Sequence, residues 1–258
     1  AWFGRRRSVR AVDGVSLRVA EGETVGLLGE SGCGKSTLAR ALMHLAPVSG
    51  GTIRFDGVDV STPERARRAR LRRRLQMVFQ DPLGSLNPRM TAGTTLNEVL
   101  RIHTALPAAG RRERIVELLA MTGLHAGHAA RYPHELSGGQ RQRLGIARAL
   151  AVGPALLLAD EPVASLDVSV QAQILRLLRD LRDRMRLAML FIAHDLPVVA
   201  AISDRILVMY LGRVVESAPS QVLVEDPQHP YTRALLAAVP RPDPRLRAGE
   251  GTVLEGEV

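Results

Sequence analysis

Short apolar runs alternate along this chain with segments whose apolar residues recur every three or four positions, the pattern of buried strands interleaved with amphipathic helices. The run Thr24–Leu28 reads as a buried parallel strand, and residues 36–45 after it carry Leu38, Leu42 and Leu45 at helical spacing. A second run, 155–159, closes on the acids Asp160 and Glu161, and a third, 187–193, closes on His194. Two further helices are predicted, one with Leu144, Ala147 and Ala151 on a shared face, the other with Ile174, Leu177, Leu178, Leu181 and Met185. Asp56 with Gly57 and Leu211 with Gly212 are hairpin-turn pairs. Residues 89–149, including 111–122, read as mostly helical, and the proline-rich residues 217–258 read as a short extension. The expectation is an α/β fold.

Composition narrows the class. At 258 residues and 46% hydrophobic content there is ample material for a core, in one large domain or two small ones. No uninterrupted apolar stretch approaches the roughly 18 residues of a spanning helix. No basic-then-apolar leader opens the chain, and the single cysteine, Cys33, fits a reducing compartment. The formal charge of +9 would suit an anionic partner, and the segment Arg65–Arg74 is densest in arginine. Arginine is spread along the whole chain, however, and no aromatic residues interleave with that segment to stack on bases. It reads as a solvated face, and no nucleic-acid partner is expected.

Of 35 basic residues only one, Lys35, is a lysine. It lies in Gly29, Glu30, Ser31, Gly32, Cys33, Gly34, Lys35, Ser36, Thr37, a GxxxxGK[ST] phosphate-binding pattern between the first strand and helix. The glycines let backbone N–H groups turn inward around phosphate, the helix start adds its positive end, and a compact ammonium reaches between phosphate oxygens where a broad guanidinium would not. Ser36 is the expected Mg²⁺ ligand. Cys33 has no partner for a disulfide or metal site and reads as a small loop residue with incidental sensitivity to thiol reagents.

The acid pair sits where open α/β sheets put their ligands, at the carboxyl end of a buried strand. Asp160 is placed to hold Mg²⁺ through water and Glu161 to polarise an attacking water. Leu136, Ser137, Gly138, Gly139 and Gln140 precede a helix, which makes a second anion site at its N-terminus. One nucleotide rarely needs two such cradles, so the second suggests service to a nucleotide held by another subunit.

Together with Gln80 in a segment running from Val78 to Pro82, with Ser165, Leu166 and Asp167, and with His194, this set resembles the ATPase cassette of ABC transporters over nearly the whole chain. The resemblance implies a P-loop NTPase (RecA-like) core with an antiparallel β subdomain and a helical subdomain. Residues 1–258 then form a single nucleotide-binding domain, with the core at about 1–88 and 150–216, the helical subdomain at about 89–149 and the extension at 217–258. It implies that residues 29–37 bind ATP, with Lys35 on phosphate, and that Ser36, Gln80 and Asp160 hold Mg²⁺. Glu161 is the implied general base and His194 the γ-phosphate switch. Gln80 senses the γ-phosphate and contacts the membrane partner. Ser137, Gly138, Gly139 and Gln140 would cap the nucleotide across a dimer interface, and Asp167 would touch the opposite subunit. The partners implied are a second ATPase subunit, identical or different, two membrane permease subunits and, indirectly, an extracytoplasmic solute-binding protein, with this chain peripheral on the cytoplasmic face of the cell membrane.

Two segments narrow the likeness. Residues 80–91, from Gln80 through Pro88, Arg89 and Thr91, and residues 229–236, which open with the run His229, Pro230, Tyr231, Thr232, resemble the ATPase subunits of oligopeptide and dipeptide importers, the first most like the second ATPase of the pair. The direct role of the latter run reads as a proline-bounded helix start with Thr232 near the cap. Family members usually carry an adenine-stacking aromatic in an opening strand, for which Trp2 and Phe3 are candidates. Many peptide-importer ATPases continue past a segment like 254–258 into a cysteine-rich tail that holds an iron–sulfur cluster; this chain stops there and no cluster is predicted. The alternative class, a non-transport ABC ATPase acting on nucleic acid, usually adds coiled coils, zinc-binding cysteine pairs or a second cassette, and a small-molecule kinase would not carry the motif at 136–140.

Overall fold

The computed structural model describes residues 10–62 and 64–238, so Trp2, Phe3 and the segment 254–258 lie outside the described residues. All five positions of β1 (Thr24–Leu28) are buried. Next come α1 (Lys35–Leu42), the hairpin β2 (Arg54–Phe55) and β3 (Val58–Asp59), α2 (Arg65–Arg74) and β4 (Leu75–Val78). A helical stretch follows, with α3 (Pro82–Ser85), α4 (Ala92–His103), α5 (Ala108–Met121) and α6 (Gly138–Leu150). The chain then alternates β5 (Leu156–Asp160), α7 (Val168–Met185), β6 (Ala188–Ala193), α8 (Leu196–Ile202) and β7 (Arg205–Tyr210), and finishes with β8 (Arg213–Pro219), α9 (Ser220–Glu225) and α10 (Pro230–Ala237).

Six strands form one sheet in the order β4-β5-β6-β1-β7-β8, parallel throughout except for the antiparallel pair β7–β8. Strand β1 is central, with Val25 opposite Leu190 of β6 on one side and Arg205 of β7 on the other. Parallel strands need crossovers that cover both faces of a sheet, so its strands are apolar on both sides. The two-residue period of each strand sorts its side chains accordingly. Leu28, Leu157, Ala159, Met189, Phe191, Ile206 and Val208 enter one core with α6, α7 and α8, and the same core runs on into α4 and α5 through Leu96, Leu100, Leu118 and Leu119. Val25, Leu27, Leu158, Leu190, Ile192, Leu207 and Met209 face the other way, against Leu38 and Ala39 of α1 and Leu71 of α2. Gly26 lets α8 approach β1, since a Cβ there would stand 2.3 Å from Val199 Cγ1.

Both predicted hairpin turns are present. Asp56 (φ 51°) with Gly57 (φ 76°) joins β2 to β3, and Leu211 (φ 44°) with Gly212 (φ 79°) joins β7 to β8, so the central residues of both turns have the positive φ of a type I′ connection. The first helix is shorter than its periodicity predicts. His44 takes φ 54°, its N–H bonds to Ala41 O and that of Leu45 to Arg40 O, the two bonds of a Schellman stop, and Leu45 is left 56% exposed. Along α2, Arg74 pairs with Asp56 and lies 5.1 Å over the Phe55 ring, Arg73 reaches His103 O, and Leu71 is buried.

Candidate active site

Four parallel strands, β1, β4, β5 and β6, deliver the predicted residues from their carboxyl ends: the glycine-rich loop, Gln80, the acid pair and His194. All but Gly29, Cys33 and the buried Asp160 meet at an open cleft of about 530 Å³ lined by Glu30, Ser31, Gly32, Gly34, Lys35, Ser36, Thr37, Gln80, Glu161 and His194.

The loop is folded tightly enough that only glycine serves at its ends. Gly34 has φ 108°, and a Cβ there would stand 2.0 Å from Ala11 O; at Gly29 it would stand 2.3 Å from Met209 O. Lys35, 4% exposed, donates from Nζ to Gly29 O at 2.7 Å and Glu30 O at 2.6 Å, so its ammonium is held by the loop's own carbonyls. Gly29 and Cys33 do not line the cleft; they form the back of the loop. The expected thiol sensitivity is not supported, because Cys33 is 3% exposed and burial pushes its thiol pKa up despite the nearby Lys35.

Ser36 donates to Asp160 Oδ1 at 3.1 Å across the gap between α1 and β5. Burial raises the Asp160 carboxyl pKa; the Ser36 hydrogen bond opposes the rise and the adjacent Glu161 charge adds to it. Glu161 accepts from Gln80 Nε2 at 3.0 Å through Oε2, and its Oε1 lies 3.4 Å from His194 Nδ1. Its backbone stands at φ 45°, pinned by its N–H to Ile192 O at 2.9 Å. A hydroxyl, a buried carboxylate and an amide are hard oxygen donors, the chemistry Mg²⁺ takes when a few protein groups share it with phosphate oxygens. Ser36, Asp160 and Gln80 therefore fit that ion.

The second anion motif is built but stands elsewhere. Ser137 caps α6, its Oγ accepting from Gln140 N at 3.3 Å while its N–H donates to Gln140 Oε1 at 2.9 Å. Gly138 and Gly139 pack beside Leu166 and Val170, and Asp167, exposed, starts α7. None of Ser137, Gly138, Gly139, Gln140 or Asp167 lines the cleft. Sequence reasoning missed the segment behind the loop: Gly212 N donates to Cys33 O at 2.9 Å, and Glu30 N donates to Tyr231 Oη at 3.1 Å. Tyr231 lies in the run His229 to Thr232, whose sequence signals a helix start and nothing about the phosphate loop.

Comparison with known proteins agrees with the fold and identifies the family. A model of the ABC transporter family matches residues 12–164, and one described as the oligopeptide/dipeptide transporter C-terminal region matches 215–258. The oligopeptide transport ATP-binding protein OppF of Bacillus subtilis is 52% identical over 93% of this chain and 79% of its own length. Among solved structures, the dimeric post-hydrolysis state of the ATP-binding cassette MJ0796 bound to ADP and Pi matches at TM-score 0.76 and 31% identity, over 85% of this chain and 94% of that one. CbiO1 from Clostridium perfringens, part of the ABC transporter complex cbiONQ, matches at TM-score 0.76 and 29% identity, over 84% and 85%. With well over half of its length matched by one family model and about half of its residues shared with OppF, this chain belongs to the ABC transporter family, among its ATP-binding proteins.

Proposed function

We propose that this ATPase energises a membrane importer of peptides, as one of two ATPase subunits acting on two permease subunits from the cytoplasmic face. The observation that carries the reading is the Glu161 carboxylate, held between the Gln80 amide and His194 at the mouth of a phosphate loop whose lysine is already aimed by two carbonyls. ATP is bound by the loop amides and by Lys35, whose ammonium exchanges carbonyl oxygens for phosphate oxygens. Glu161 takes the proton of the attacking water, and His194 holds the carboxylate and the γ-phosphate in line. Ser36, Asp160 and Gln80 would hold Mg²⁺, which when bound neutralises charge on the phosphate oxygens. Ser137 to Gln140 and Asp167 serve the nucleotide of the partner subunit, which is consistent with their absence from the lining of this chain's own cleft. The peptide class is supported by the match at 215–258 and by the printed name of OppF. No described helix is long and apolar enough to cross a membrane, consistent with docking on a permease. The proposed division keeps residues about 89–149 as a helical subdomain and about 217–258 as an extension.

The test is ATP hydrolysis by the purified chain, alone, with its companion ATPase and permease in vesicles, and with DNA or RNA. Stimulation in the vesicles, rising with a peptide-loaded binding protein, is expected. Stimulation by nucleic acid and none by the membrane complex would overturn the importer reading in favour of the nucleic-acid class.

A further inference from the structure

The peptide unit between Gly29 and Glu30 is gripped from both sides. Its carbonyl oxygen, Gly29 O, accepts from Lys35 Nζ at 2.7 Å, and its amide, Glu30 N, donates to Tyr231 Oη at 3.1 Å. In a planar trans peptide these two groups point in opposite directions, so whatever fixes one fixes the other. Lys35 therefore rests on a carbonyl whose orientation is set by a hydroxyl from the far end of the chain.

That hydroxyl is itself rigidly mounted. Tyr231 is 3% exposed, with its ring tilted against Tyr210 of β7 at 4.4 Å between centroids. The start of α10 is fastened to β8, where the Glu216 carboxylate accepts from Gln228 N at 2.8 Å and His229 N at 3.1 Å. His229 caps the helix, its Nδ1 accepting from Tyr231 N at 3.1 Å, and Thr232, near the cap as its sequence suggests, is fully buried. Every link from β8 to the loop is thus a hydrogen bond or a packed ring. Burial lifts the phenol pKa to about 12, so the acceptor of the Glu30 N–H remains the neutral hydroxyl at any working pH.

We infer that Tyr231 is a positioning residue for nucleotide binding: its hydroxyl holds the Gly29–Glu30 peptide in the orientation that presents Lys35 to phosphate, and so makes the C-terminal segment part of the loop's scaffold. The inference rests on the ATPase reading and adds to it a residue outside the nucleotide-binding motifs. It also separates two roles of the same side chain. The ring packs on Tyr210, and a phenylalanine keeps that contact; only the hydroxyl reaches the loop.

Tyr231→Phe in the full chain tests it. Without the acceptor the peptide is held from the Lys35 side alone, and one of the two carbonyls on which Lys35 rests is no longer fixed. Dissociation constants for Mg-ATP and ADP are expected to rise about three- to tenfold because the loop spends time away from its binding orientation, with kcat at saturating ATP unchanged; the lost internal bond also lowers the melting temperature by a few degrees. In the nucleotide-free protein, acylation at Lys35 by an amine reagent, read by mass spectrometry, is expected to quicken. Wild-type affinity with wild-type Lys35 labelling overturns the inference, as does an affinity loss with Lys35 labelling unchanged. If the parent chain bound no nucleotide, the ATPase reading would fail instead, while the labelling comparison would still decide what Tyr231 does.

Discussion

Glu161 is one of five described non-glycine residues with positive φ, a conformation that costs a side chain about 1–2 kcal/mol, and it is the one whose carboxylate enters the cleft. The strain turns the side chain away from the strand line toward Gln80 and His194. Glu161→Gln keeps the shape and loses the proton acceptor, so nucleotide binding is expected to persist while turnover falls by about 10²-fold or more. A Mg-ATP-trapped dimer should accumulate; binding and hydrolysis measured side by side, with particle size, check it, and near-normal turnover would remove Glu161 from the base role. Asp160 carries the opposite tension. Its pKa is raised by burial, so its contribution to stability is complete below the ordinary value of 3.8 and is lost as the pH climbs through the raised value. Asp160→Asn is expected to raise the melting temperature at pH 7, by about 2–4 °C for each kcal/mol relieved, with the gain shrinking as the pH falls toward about 4, while hydrolysis drops. Thermal scans of both proteins across that range decide it. Lys35, Ser36, Asp160 and Glu161 were legible because contiguous motifs carry them. The facing of Cys33 was not, since loop residues obey no period, and the bond between Glu30 and Tyr231 joins positions that nothing local relates.

At the scale of elements, buried runs announced β1, β5 and β6, because a strand covered on both faces is apolar throughout. Strand β8 was hidden: it mixes exposed and half-buried positions without an apolar run, and only the turn at Leu211 and Gly212 pointed to it. The end of α1 was misread because Leu45 keeps the helical period while His44 breaks the helix. Close packing between elements makes a sharp prediction at Gly26. A methyl there meets Val199 Cγ1 at 2.3 Å and Ser203 Oγ at 2.6 Å, so Gly26→Ala should force α8 off β1 and cost about 1–3 kcal/mol in denaturant unfolding. An unshifted midpoint would mean that α8 yields freely. The capping box at Ser137 adds a second: Ser137→Ala is expected to lower stability by about 1 kcal/mol in the isolated chain, before any effect on a partner's nucleotide is counted.

In the whole molecule, the cleft gathers the phosphate loop, Gln80, Glu161 and His194, and Ser137 to Gln140 are not among the residues that line it. The isolated protein should therefore hydrolyse ATP weakly, with specific activity rising with protein concentration or on adding the companion ATPase; full activity independent of concentration would argue for a self-sufficient site.

The central place of β1 has a consequence for how the protein is made. Thr24 pairs with Met189, and Val25 with Arg205, so the strand that launches the phosphate loop leaves the ribosome long before either neighbour exists. At synthesis rates of about 5–20 residues per second, it waits roughly ten to thirty seconds with its apolar edges unpaired. A topology built on such distant pairings folds late and passes through states open to aggregation. Ribosome-stalled nascent chains ending before Ala188 should remain sensitive to protease and bound by chaperones, and resistance should arrive together for both ends of the sheet once β6 and β7 have emerged.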